Sequence, residues 1–220
     1  MFKINIQLFT SEGPAAVEKL RQLGPEIFLD LKFHDIPNTV TGAVTSAISL
    51  PGVRLLNMHI LGGIEMMRAA VQARDKSNLP KAQMPKLLGV TILTSMDNGA
   101  LRDVGIAGPA SRRVLKLARL AQKAGLDGVV ASPQEVRAIR RACGKDFLTV
   151  VPGVRPEVGG NSGQTRKRKV DDQARIATPA EAIRAGADYL VVGRPITGAP
   201  DPESAARAIL DEISSALPRS

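Results

Sequence analysis

The stretch Ile27-Phe28-Leu29-Asp30-Leu31-Lys32-Phe33-His34-Asp35-Ile36-Pro37-Asn38-Thr39 changes periodicity partway along. Residues 27–32 read as a strand, and a helical pattern over 38–50 follows, opened by Pro37, whose fixed φ and missing N–H suit a first helical turn. A near-continuous apolar strand followed at once by a helix is the unit of a buried parallel sheet. The same unit recurs outward in both directions. Strand-like runs fall at 2–8, 27–32, 53–59, 86–93, 128–131, 147–152 and 188–193. Helical patterns follow at 13–23, 38–50, 63–74, 109–124, 133–142, 179–185 and 202–217, four of them opened by Pro109, Pro133, Pro179 and Pro202. Asp127 and Asp188 sit in short helix-to-strand connections.

Seven βα units are more than a doubly wound sheet usually needs and one fewer than a closed barrel requires. The expectation is an α/β fold, a (β/α)8 TIM barrel, with residues 1–220 as a single domain in which seven of the eight units are visible. The first strand and helix are the missing pair, because the chain opens directly on a strand.

The composition bounds what such a domain can do. The chain has 220 residues, 44% hydrophobic and 23% charged, enough apolar content for a full core and too much for disorder. Its apolar runs fall far short of the ~18 residues that would span a bilayer. Cys143 is the single cysteine, which excludes an internal disulfide and a cysteine-based zinc site. The opening MFKINIQLFT has no signal-peptide apolar region, so a soluble, cytoplasmic protein is expected. Thirty Lys and Arg against 21 Asp and Glu give a net charge of +9, which favours anionic partners. Aromatics at 3% with no Trp offer no stacking platform for unpaired bases, so small anions are favoured over nucleic acid. The basic cluster Arg166-Lys167-Arg168-Lys169 lies in a Gly-, Ser-, Asn- and Gln-rich stretch and reads as a solvated loop or a funnel for an anion. Residues 157–172 around it form a long irregular segment, expected to close over a phosphate.

In a parallel barrel the chemistry sits at the C-terminal ends of the strands. Strand alternation puts Asp30 and Lys32 on one face, toward the barrel mouth, with Leu29, Leu31 and Phe33 opposite. Charges there are costly unless paired, so they form either a buried structural ion pair or a reactive one. Lys3 on the preceding strand is their neighbour. Asp35, just past the strand, either caps the helix after it or joins the site. The chain's last strand runs into Gly193-Arg194, an ordinary turn or a phosphate clasp of close backbone and forked guanidinium. Thr94 and Ser95 end another strand with hydroxyls that read a ligand edge or start a turn. His34 points away from Asp30 and Lys32 by alternation and is expected to pack or bond locally. His59 ends its strand and could line the pocket, but two histidines make no metal site. Met66 and Met67 are expected to pack a helix on the barrel.

The block Phe28–Thr39 resembles the signature of the orotidine 5′-phosphate decarboxylase family. The resemblance continues, in family order, through Leu93-Thr94-Ser95-Met96, Val151-Pro152-Gly153-Val154-Arg155-Pro156, Asp172-Gln173-Ala174-Arg175 and Val192-Gly193-Arg194-Pro195-Ile196. It implies a decarboxylase of orotidine 5′-phosphate in pyrimidine biosynthesis, a barrel homodimer needing no cofactor and no metal. By match to the motif, Lys3, Asp30, Lys32 and Asp35 would form an alternating charged array beneath the pyrimidine. Asp35 would act across the dimer interface, with Ile36 and Thr39 beside it. Thr94, Ser95, Pro152, Arg155, Gln173, Gly193 and Arg194 would hold the substrate, Gln173 and Arg194 at its phosphate. Family members begin with a strand carrying an Ala-Leu-Asp-like segment that has no counterpart here. Either the start lies upstream of Met1, the favoured reading because every later motif is intact, or this is a damaged or repurposed copy. The alternatives are an inactive phosphate-ligand barrel, a magnesium-dependent sugar-phosphate decarboxylase or aldolase sharing the Asp-x-Lys-x-x-Asp motif, or a basic nucleic-acid binder.

Overall fold

Each apolar run becomes a strand only for as long as its neighbour pairs with it, and each Pro-led pattern becomes a helix. The computed structural model describes residues 1–156 and 177–217. In chain order the elements are β1 (Phe2–Asn5), α1 (Ile6–Glu12), α2 (Pro14–Gln22), β2 (Ile27–Phe33), α3 (Pro37–Ile48), β3 (Val53–His59), α4 (Ile64–Asp75) and β4 (Lys86–Val90). They continue with α5 (Asn98–Asp103), α6 (Ala110–Ala124), β5 (Gly128–Val130), α7 (Val136–Cys143), β6 (Leu148–Val151), α8 (Pro179–Arg184), β7 (Tyr189–Leu190), α9 (Arg194–Thr197) and α10 (Pro202–Ala216). The strands are hydrogen-bonded in the order β1-β2-β3-β4-β5-β6-β7, with parallel pairing wherever the register is defined. This is the α/β architecture expected of the repeated βα unit.

Two compact units make up the chain. The first comprises residues 1–91, 115–130 and 145–148. Its core is built from both faces of the strands: Ile4, Ile27, Leu29, Leu55, Leu56, Leu87 and Leu88 are fully or almost fully buried. Met66 and Met67 on α4 are wholly buried, as the sequence suggested. Asp127, in the connection before β5, accepts the backbone N–H of Leu87 at 2.8 Å and pairs with Arg74 of α4, tying helix, loop and strand together. Of the described residues, the second unit comprises 92–114, 131–144, 149–156 and 177–217. Val136, Val151, Val154 and Ala182 form its buried cluster. Asp188 repeats the device of Asp127: it accepts the Thr149 N–H and the Arg140 guanidinium, both at 2.6 Å. Here α8 opens with a full capping box, Thr178 and Glu181 each accepting the other's backbone N–H.

Three strands end more than one residue short of expectation. Residues 6–8 belong to α1, because the Asn5 side chain accepts the Leu8 N–H and starts a helix there. The run expected to 93 stops at Val90, and of the run 188–193 only Tyr189–Leu190 is strand. The helices α1, α5 and α9 were not visible as periodic patterns; each has seven residues or fewer. Among the described residues no helix is long and apolar enough to cross a membrane.

Candidate active site

The register between β1 and β2 sets Lys3 opposite Phe28 and Asn5 opposite Asp30. Lys3 thus stands one strand over from Asp30, and its Nζ donates to Asp30 Oδ2 at 2.8 Å. Lys32 Nζ donates to the other carboxylate oxygen, Oδ1, at 2.6 Å. Asp30 is 6% exposed, while the two lysine side chains retain 29% and 32% of their surface. Three of the four residues expected in the charged array therefore meet on adjacent strands, β1 and β2.

Lys32 does not reach that position by simple alternation. It has φ 54°, making it the one non-glycine residue with positive φ among those described. The left-handed conformation costs an L-residue about 1–2 kcal/mol. The pairing between β2 and β3 shows where the distortion lies. Leu29 faces Leu56 and Phe33 faces Met58, so residues 30–32 stand against Asn57 alone. Such bulges bend a strand and re-aim its side chains. Asn57, wholly buried, bridges the distortion: its Oδ1 accepts the Lys32 backbone N–H at 2.8 Å, and its Nδ2 donates to Asp30 Oδ1 at 2.7 Å. Asn57 was not singled out from the sequence, although an Asn inside the apolar run of β3 is a signal, since a buried amide must find partners.

Asp35 is not brought to this cluster. It is exposed, accepts the N–H of Ile36 at 2.7 Å, and makes no ion pair among the described residues. Nor does it cap α3, whose N-cap is Ile36 with no side-chain bond. Ile36 is 65% exposed and Thr39 is exposed as well. His34 is exposed rather than packed, its ring centroid 5.4 Å from that of His59. His59 is half-buried. Burial, then the neighbouring His34 and Lys32, lower its affinity for a proton, against a smaller opposing pull from Asp30. No group of three or more His, Cys, Asp or Glu among the described residues is placed to hold a metal.

The remaining expected residues lie in the second unit or outside the described chain. Thr94 is 9% exposed and Ser95 exposed, both beyond the end of β4 rather than in it. Pro152 and Arg155 are half-buried just after β6, where the Arg155 N–H donates to the Ala177 carbonyl at 3.0 Å. Gly193 is the N-cap of α9, and a Cβ built on it meets nothing within 4 Å, so packing does not demand glycine there. Arg194 is exposed at the first position of that helix. Gln173, the segment 157–172 and the basic cluster Arg166–Lys169 lie outside the described residues.

Electrostatics ties this cluster to acid stability. Burial disfavours the Asp30 carboxylate, but Lys3 and Lys32 outweigh it and hold the group below its ordinary value of 3.8. A carboxyl lowered on folding stabilises the native state above its unfolded value, and that contribution is lost as pH falls through the folded value. Wild type should therefore lose stability below about pH 4 more steeply than Asp30→Asn, measured as urea midpoint against pH. At neutral pH Asp30→Asn should be the less stable protein. The loss should be smaller than the ~3–5 kcal/mol typical of a broken, fully buried pair, because both lysines keep partial hydration. Parallel pH profiles would show that the pairing does not govern acid unfolding.

A seven-stranded parallel α/β sheet with a Lys–Asp–Lys cluster on its first two strands defines the class: an α/β protein of the (β/α)8-barrel type with an ionic site on adjacent strands. The chain belongs to the orotidine 5′-phosphate decarboxylase / HUMPS family, whose model matches residues 1–209. It is 57% identical over 213 residues to orotidine 5′-phosphate decarboxylase of Geotalea uraniireducens strain Rf4, covering 97% of this chain and 84% of that protein. The identity with the enzyme of the same name from Geobacter sulfurreducens is 55%, at the same coverage. Among solved structures, orotidine 5′-phosphate decarboxylase from Lactobacillus acidophilus superposes with a TM-score of 0.80 at 39% identity, over 96% of this chain and 85% of that one.

Proposed function

We propose that the chain decarboxylates orotidine 5′-phosphate to UMP and CO2, with Lys32 as the group that stabilises and then protonates C6. The observation that carries this reading is the pairing of Lys3 and Lys32 on the single buried carboxylate of Asp30. Breaking the C6–carboxylate bond releases CO2 and leaves the electron pair on C6 in the ring plane, where the π system cannot delocalise it. A fixed ammonium near that carbon stabilises the charge as it develops, without reorganising during the reaction. The same ammonium gives a proton to C6, and solvent returns one to the amine. Asp30 keeps the ammonium oriented and sits where the departing carboxylate would feel its charge.

Two lysines and one aspartate carry net charge +1, which suits an anionic substrate. A fourth member, Asp35 from a second copy, would bring the array to neutrality and let all four groups stay ionised. Thr94 and Ser95 would face the pyrimidine, and Pro152, Arg155, Gln173, Gly193 and Arg194 would hold the rest of the nucleotide, the guanidinium of Arg194 gripping the phosphate as a two-pronged donor.

The rival reading, a sugar-phosphate decarboxylase or aldolase with the Asp-x-Lys-x-x-Asp motif, would need magnesium, so metal dependence separates the two. CO2 release from orotidine 5′-phosphate should proceed undiminished in EDTA. Decarboxylation of a sugar phosphate that stops on chelation would overturn the assignment in favour of the magnesium-dependent reading. UMP binding with no CO2 release would reduce the chain to a ligand-binding barrel.

A further inference from the structure

We infer that Asn57 is a positioning residue for this reaction, holding the left-handed backbone turn that aims the Lys32 ammonium at Asp30. The inference rests on the decarboxylase reading for its kinetic part and on geometry alone for the rest.

In the bulge of β2 the regular ladder to β3 is interrupted, and residues 30–32 have only Asn57 opposite them. A buried backbone N–H without a partner is costly, so the Lys32 N–H needs an acceptor there, and Asn57 Oδ1 supplies it at 2.8 Å. The other end of the same amide is committed as well, donating to Asp30 Oδ1 at 2.7 Å. Each partner dictates its end of the side chain: the N–H requires the carbonyl, and the carboxylate requires the NH2. One planar group thus fixes the distance between the backbone of Lys32 and the carboxylate of Asp30. Lys32 Nζ closes the ring by binding the same Oδ1 at 2.6 Å. Because φ sets the direction of the side chain, relaxation of Lys32 to an extended φ would swing its ammonium away from Asp30. Nothing else in β3 offers that restraint: Leu56 and Met58, the flanking residues, are apolar.

The chemistry selects Asn at this position. Ala leaves the Lys32 N–H and one Asp30 oxygen without the amide. Asp keeps the shape and the acceptor but sets a second carboxylate against Asp30, so that the two would share a proton.

The test pairs both variants with structural and kinetic readouts. In Asn57→Ala, a crystal structure should show Lys32 out of the left-handed region, and kcat should fall on the order of a hundredfold. KM should change little, as expected when an interaction realised in the transition state is lost. Should Asn57→Ala fail to fold, the nearly isosteric Asn57→Asp decides: its pH–rate profile should gain an ionisation that wild type lacks, a change that a purely structural role would not produce. Lys32 retaining its positive φ in Asn57→Ala, or an Asn57→Asp profile that matches wild type in shape, would overturn the inference. A wild-type chain that releases no CO2 would sink the decarboxylase reading and leave the backbone measurement in Asn57→Ala to decide this one.

Discussion

Lys32→Ala is expected to abolish CO2 release while leaving the fold intact. One ammonium ~4 Å from the developing C6 charge, at an effective dielectric near 20, is worth about 4 kcal/mol, or roughly a thousandfold in rate. The proton donor is lost at the same time, typically a further ~10²–10⁴-fold. The fold should survive because Asp30 keeps two of its partners, Lys3 Nζ at 2.8 Å and the Asn57 amide at 2.7 Å. The variant also loses a long side chain that is about one-third exposed, not a core residue. The decisive comparison is single-turnover CO2 release against the urea midpoint for wild type and Lys32→Ala. Turnover unchanged in a folded variant would remove Lys32 from the chemistry; an equal loss of stability and rate would make it structural.

That the lysine and aspartate meet was legible in the sequence, but the route by which they meet was not. Alternation along residues 27–32 places Asp30 and Lys32 on one face, and the Lys32 ammonium does donate to an Asp30 carboxylate oxygen. The chain achieves this through a bulge and a left-handed Lys32, features set by the opposing strand rather than by local pattern. Asn57 escaped notice for the same reason: its importance lies in what faces it across the sheet. Strand ends show the same limit. Residues 53–59 were read to their true bounds because β3 is paired on both sides, to β2 and to β4. Residues 91–93 and 191–193 remain favourable to a strand, yet the ladder stops soon after Thr91 donates to Val130 and Val191 to Val151, where the partner strands end. Local hydrophobicity identifies a strand, whereas its neighbour decides how long it is. Asp35 does not cap the helix after it, and its other reading, a place beside the lysines of a second copy, concerns a neighbour that a single chain does not contain.

A mixed preparation of Lys32→Ala and Asp35→Ala chains is expected to recover activity that neither has alone. Within one chain the cluster carries two cations and one anion, and Asp35 is exposed with its carboxylate turned to the N–H of Ile36. The neighbouring Ile36 side chain, 65% exposed, is the kind of apolar surface that an interface covers. If each site combines Lys32 of one protomer with Asp35 of its partner, both homodimeric variants are defective at both sites. A heterodimer of the two has one site with both residues and one with neither. Random pairing of equal amounts makes half the dimers mixed, with one working site in two, and should restore about one quarter of wild-type turnover. Recovery should rise with time of subunit exchange and vanish when each variant is cross-linked as a homodimer before mixing. No recovery from freely exchanging, folded variants would place Asp35 outside the partner's site and leave the Lys–Asp–Lys cluster to work as a unit of three.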